Sequence, residues 1–172
     1  MPFLLFVVTS LLLLSGCSGK SPQTKQYANL TPYSPPLQQE LSYKLHNKTP
    51  ITLTIYEQYK KWVNTPYKYG GTTCYGIDCS SLVQQVYKDG FGLNIPRDTK
   101  HQAKIGTYVK KPEIKEGDLL LFKTGYSSRH SGVYLEAGNF LHTSTKHGVT
   151  ISNLNNPYWR EKYWQARRIL NY

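Results

Sequence analysis

Residues 76–92, GIDCSSLVQQVYKDGFG, decide how this chain is read. Asp78 is a good N-cap, and Leu82, Val83, Val86 and Tyr87 recur on one side of a helix. That helix is expected from Cys79 to about Asp89, with Gly90 to end it. Cys79 therefore opens a helix, where unpaired backbone N–H groups and the positive end of the helix dipole favour a thiolate. The same N–H groups suit a developing oxyanion. A free cysteine is more often a plain buried residue, so Cys79 alone does not decide function.

Working outward, Thr49-Pro50 is a hydroxyl cap followed by proline, and Ile51, Ile55, Tyr59 and Trp62 follow at helical spacing to about Val63. Residues 65–77 form a Gly- and Tyr-rich loop, and a short third helix is expected over 99–105. Beyond Gly117 the texture changes. Segments 119–123, 132–136, 139–143, 148–152 and 164–170 are short apolar or alternating runs separated by turn residues. Helices first and strands afterwards predict an α+β domain, with N-terminal helices packed on an antiparallel β-sheet.

The chain has 172 residues, which suits a single core, with 21 Lys+Arg against 10 Asp+Glu and a formal charge of +11. Aromatic residues at 13% support a packed core, and three cysteines exclude a disulfide-framework miniprotein. The charge favours an anionic partner, whether nucleic acid, membrane surface or acidic polymer.

The N-terminus narrows that choice. Residues 3–14, FLLFVVTSLLLL, are too short for an ordinary membrane span but fit the core of a signal peptide. The run ends in LSGC (14–17), which resembles the lipobox of bacterial lipoproteins, where the cysteine is acylated. Residues 1–16 are therefore expected to be a lipoprotein signal peptide. Residues 17–48, rich in Ser, Pro, Gln, Thr and Lys, are expected to carry a lipidated Cys17 and a flexible tether. Residues 49–172 are expected to form the functional domain. Ser18, rather than Asp, follows the cysteine, as in lipoproteins sorted to the outer membrane facing the periplasm. A tethered exported protein rarely meets nucleic acid, so membrane and cell wall are the expected partners.

His130 opens the run HSGVYLE and His142 ends NFLHTS. If these strands are neighbours, both imidazoles project from one side of the sheet. A nucleophilic Cys needs an adjacent base, and the base needs a third group to set its tautomer. Cys79, His130 and His142 fill those roles in order. The same three side chains also suit a zinc site with an open fourth position, or a noncatalytic wall-binding module. His46, His101 and His147 lack such a context.

The blocks TPYKYGG (65–71), GIDCSSLVQQVY (76–87), PRDT (96–99), GDLLLFKTG (117–125), HSGVYL (130–135), NFLHTS (139–144) and YWQARRI (163–169) resemble, in order, the NlpC family of peptidoglycan endopeptidases. The resemblance implies a papain-like fold and thiol-dependent hydrolysis of murein stem peptides, without cofactor or metal. It implies Cys79 as nucleophile, His130 as general base and acid, and His142 as the group orienting the base. Tyr67 is implied to assist the oxyanion. Arg97 matches a frequent family residue that either faces a substrate carboxylate or braces the loop. The implied bonds involve D-amino acids and diaminopimelate, either γ-D-glutamyl–diaminopimelate or D-alanyl–diaminopimelate. Two departures are small: Ser81 stands where Gly or Ala is usual, and Ser131 where an apolar residue usually follows the base. Cys74 prompts a further hypothesis, a disulfide with Cys79 that blocks activity until reduced.

Overall fold

Thr49 accepts a hydrogen bond from the Thr52 amide at 3.1 Å, and Pro50 begins helix α1 (Pro50–Trp62), as the cap-then-proline pattern predicts. This computed structural model describes residues 48–171. The expected signal peptide, Cys17 and nearly all of the tether lie outside the described residues. Among the described residues no helix is long and apolar enough to cross a membrane.

After α1, two-residue strands β1 (Thr72–Thr73) and β2 (Gly76–Ile77) pair as a small hairpin. Helix α2 follows (Cys79–Phe91), its first turn closed by the Ser81 amide donating to Asp78 at 2.8 Å. The expectation that Gly90 ends this helix is corrected. Gly92 ends it, in the left-handed conformation (φ 68°) that glycine adopts without steric cost. Gly90 is instead a point of close approach, because a Cβ there would lie 2.9 Å from Thr54 Cγ2 on α1. Helix α3 (Thr99–Gln102) is shorter than expected.

Strand β3 (Thr107–Val109), absent from the sequence reading, precedes a single 3₁₀ turn (Lys111–Glu113). Then come β4 (Leu119–Lys123), β5 (Arg129–Tyr134), β6 (Asn139–Ser144), β7 (Gly148–Asn153), helix α4 (Pro157–Lys162) and β8 (Tyr163–Arg168). The six strands form one antiparallel sheet in the order β3-β8-β4-β5-β6-β7. The α+β class expected from the sequence is the one observed.

Side-chain alternation along β4 builds two apolar layers. Leu119 and Leu121 join Val133 and Leu141 beneath the helices, where Ile55, Leu82, Val83 and Val86 pack against them. Leu120 and Phe122 face the other way, with Phe140 and Ala166, and Trp159 of α4 covers them. Each fully buried aliphatic or aromatic side chain contributes about 1.5–3 kcal/mol. Polar ties fix the layers. Tyr87 donates to the Gly117 carbonyl at 2.6 Å, and fully buried Asp118 accepts from Arg168 Nε at 2.9 Å and Nη2 at 2.8 Å.

Candidate active site

Cys79 is the first residue of α2, so its position follows from the capping of that helix. Asp78 accepts four further contacts besides the Ser81 amide: from the Gly70 amide (3.0 Å), from Ser80 Oγ (3.0 Å), and from both ends of the Arg97 fork (2.9 and 2.7 Å). Burial alone would raise this carboxyl, but hydrogen bonds from Arg97 and Ser81 outweigh it and hold its pKa below the usual value. Arg97 Nη1 also reaches Ser80 Oγ at 2.9 Å and Nη2 the Gly71 carbonyl at 3.3 Å. Of the two roles left open for Arg97, these contacts are those of the brace: its fork is taken by Asp78.

Cys79 is a free thiol and 8% exposed. The hypothesised Cys74–Cys79 disulfide is therefore not formed. The expectation of a thiolate at the helix start also needs correction. Burial pushes the Cys79 thiol up, with Asp78 adding to the rise, and the nearby polar groups of Ser131 and Ser80 offset only part of it. The resting sulfur is a protonated thiol.

His130 and His142 stand on adjacent antiparallel strands, and the register Val133–Leu141, Tyr134–Phe140 puts them on one face. His130 Nε2 lies 3.0 Å from His142 Nδ1, and His142 Nε2 lies 2.9 Å from Ser152 Oγ on β7. With Ser152 accepting from His142 Nε2–H, His142 Nδ1 accepts from His130 Nε2–H. A lone pair then remains on His130 Nδ1 to take a thiol proton. Burial holds His130 down at about 4 and His142 at about 3, the neighbouring His130 adding to the second depression. Both are neutral near pH 7. A neutral thiol and a neutral, oriented imidazole that line the same cleft have the chemistry of a nucleophile and a general base.

Three contributors escaped the sequence reading. Trp159 stacks on His130 (centroids 5.2 Å, interplanar 28°) and meets His142 edge-on at 4.9 Å, which covers one side of each ring. Its signal was Asn156-Pro157, the same cap-then-proline pattern that starts α1, on a helix with no apolar period. Ser152 carries no motif of its own. The third is a charge pattern. Cys79, His130, Tyr67 and Tyr69 line an open cleft of about 510 Å³ whose walls also carry Lys100 and Arg129. Asp98, on the same wall, accepts from His101 at 2.7 Å. Behind the imidazoles a second recess of about 810 Å³ holds Lys146, His147, Ser152 and Trp159.

Tyr67 is joined to β2 by a parallel bridge to Ile77. Burial, then the nearby Cys79 and Asp78, raise its pKa, so its hydroxyl stays protonated and able to donate. Among the described residues no group of three or more His, Cys, Asp or Glu is arranged to hold a metal ion.

A helix-borne thiol set against a strand-borne His–His pair on an antiparallel sheet defines a cysteine hydrolase of papain-like fold. Residues 64–168 match the NlpC/P60 family, and the chain belongs to that family. It is 40% identical over 171 residues to a probable endopeptidase NlpC of Escherichia coli, covering 98% of this chain and 100% of the relative. It is 38% identical over 165 residues to the E. coli murein DD-endopeptidase MepS/murein LD-carboxypeptidase, covering 92% of this chain and 87% of that one. Among solved structures, an NlpC/P60 family protein of Bacillus cereus matches with a TM-score of 0.61 and 34% identity, over 68% of this chain. The chain spans 39% of the length of that structure, so only the shared domain is compared.

Proposed function

We infer that this chain is a peptidoglycan endopeptidase that cuts stem-peptide or cross-link bonds, with Cys79 as nucleophile, His130 as general base and acid, and His142 orienting His130. One observation carries the reading: His130, the near end of the line His130–His142–Ser152, shares a cleft with a free thiol at a helix start, in a family whose relatives include murein endopeptidases. As the sulfur closes on the carbonyl carbon, its proton passes to His130 Nδ1. The oxyanion is met by N–H groups at the start of α2 and by the Tyr67 hydroxyl. Collapse breaks the C–N bond, and His130 returns the proton to the departing amine. A water deprotonated by the same imidazole then hydrolyses the thioester and the thiol re-forms.

Lys100 and Arg129 on the cleft walls suit the carboxylates of a murein stem. The DD-endopeptidase relative favours the D-alanyl–diaminopimelate cross-link as the scissile bond. Murein-acting relatives support a cell-envelope location. The remaining parts of the reading are removal of residues 1–16, acylation of Cys17, a tether to about residue 48 and an outer-membrane anchor facing the periplasm. Two-chain acylation anchors stably where a single chain is marginal.

The test is digestion of purified monomeric and cross-linked muropeptides by the reduced protein, with mass spectrometry of the products and Cys79→Ala alongside. Dimers falling to monomers only with Cys79 intact identify a cross-link endopeptidase. Shortened stems place the cut at the γ-D-glutamyl bond. Wall binding with no turnover by the unaltered protein replaces the enzymatic reading with that of a binding module.

A further inference from the structure

On β5, His130 meets Trp159 and His142, while a Cβ at Gly132 would meet Phe140 and His142. Ser131 lies between them and, by the alternation of a strand, faces the opposite side, where α2 packs across β5. It is fully buried, and its hydroxyl has no hydrogen-bond partner among the described residues. Leaving a buried hydroxyl idle is costly, so its presence calls for a state in which it is used. The Cys79 sulfur supplies that state. The amide and hydroxyl of Ser131 both lie within reach of it. A thiol accepts hydrogen bonds weakly, whereas a thiolate accepts them strongly. The apolar residue expected at this position from the family pattern would offer only the amide.

We propose that Ser131 is a thiolate-stabilising residue of this active site, whose hydroxyl donates to the Cys79 sulfur as the thiol proton leaves for His130. The Ser131 proton stays on its oxygen throughout, so the step moves one proton, from sulfur to imidazole. Other groups also face the sulfur. Asp78, the cap of its helix, opposes a thiolate, and Tyr67, Tyr69, Asp98, Lys100, Arg129 and His130 share the cleft. The proposal rests on Cys79 as the nucleophile.

The experiment alkylates the full chain with iodoacetamide across a pH series and follows modification of Cys79 by peptide mass spectrometry, in Ser131→Ala, Ser131→Val and Ser131→Thr. Val and Thr share a shape and differ in the hydroxyl. Ala and Val are expected to slow Cys79 alkylation at pH 8 on the order of tenfold and move its pH midpoint upward, while Thr stays near the unaltered protein. Removing an idle buried hydroxyl does not destabilise, so the thermal midpoint of Ser131→Ala should hold or rise. Equal alkylation in all three variants, or a drop in Thr matching that in Val, overturns the proposal. So does a lowered melting point for Ser131→Ala, which would mean the hydroxyl was already paired. Alkylation needs no substrate, so a failure of the muropeptide assay leaves this result readable by itself.

Discussion

His130 sits near pKa 4 and His142 near 3 because burial removes the water that would solvate an imidazolium. The acid limb of kcat/KM is therefore expected near pH 4, well below the usual imidazole value of 6.5. With the Cys79 thiol pushed up, the profile should stay level from about pH 5 to 8. A rate that titrates near 6.5 instead would contradict the neutral pair. Ser152 fixes the far end of the relay, so Ser152→Ala should lower kcat on the order of tenfold with KM little changed, and Ser152→Thr should recover most of it. Arg97→Ala separates its two roles. A brace predicts lower kcat and a lower melting temperature at constant KM, because Asp78 loses its fork. A rise in KM alone would assign Arg97 to substrate.

At the scale of elements, the site is a meeting of one helix start with two strands, and small residues set the spacing. A Cβ on Gly132 would lie 2.8 Å from Phe140 Cδ2, 2.8 Å from the Leu141 carbonyl and 3.3 Å from His142 Cβ. Gly132→Ala should therefore displace His142. Activity should fall steeply, with destabilisation of about 1–3 kcal/mol from overpacking, measurable by denaturant titration beside muropeptide turnover. Helices α1 and α2 were legible from caps and apolar spacing, since both signals are local. The true end of α2 was not, because Gly90 and Gly92 look alike in sequence and only the packing of α1 tells them apart. Strand β3 was missed because two of its three residues are exposed and its pairing with β8 joins segments far apart in the chain.

For the whole molecule, the buried imidazoles link folding to pH. The unfolded chain takes up a proton on each near pH 6.5, whereas the native protein resists until about 4 for His130 and 3 for His142. Between those values the unfolded state binds more protons, so stability is fully present above about 6.5 and is lost as pH falls. The loss is roughly 2 kcal/mol per imidazole by pH 5. Urea titrations from pH 7 to 4.5 should show it, and His142→Gln should flatten the slope. The formal charge of +11 acts at longer range. Binding to purified sacculi should weaken steadily between 50 and 300 mM salt (about one Debye length of 14 Å shrinking to 6 Å), and binding that ignores salt would remove the charge from the account.

Helices α1 and α2, the run of strands β4 to β8, the helix start at Cys79 and the candidate residues Cys79, His130 and His142 were legible in the sequence alone, because capping and side-chain period act over a few neighbouring residues. Tertiary structure decided the rest. It set the protonation of the thiol and both imidazoles, since burial is a property of the packed fold. It turned the Arg97 fork onto Asp78, and it brought Ser152, Trp159 and the idle hydroxyl of Ser131 to the site from segments whose local patterns carry no trace of it.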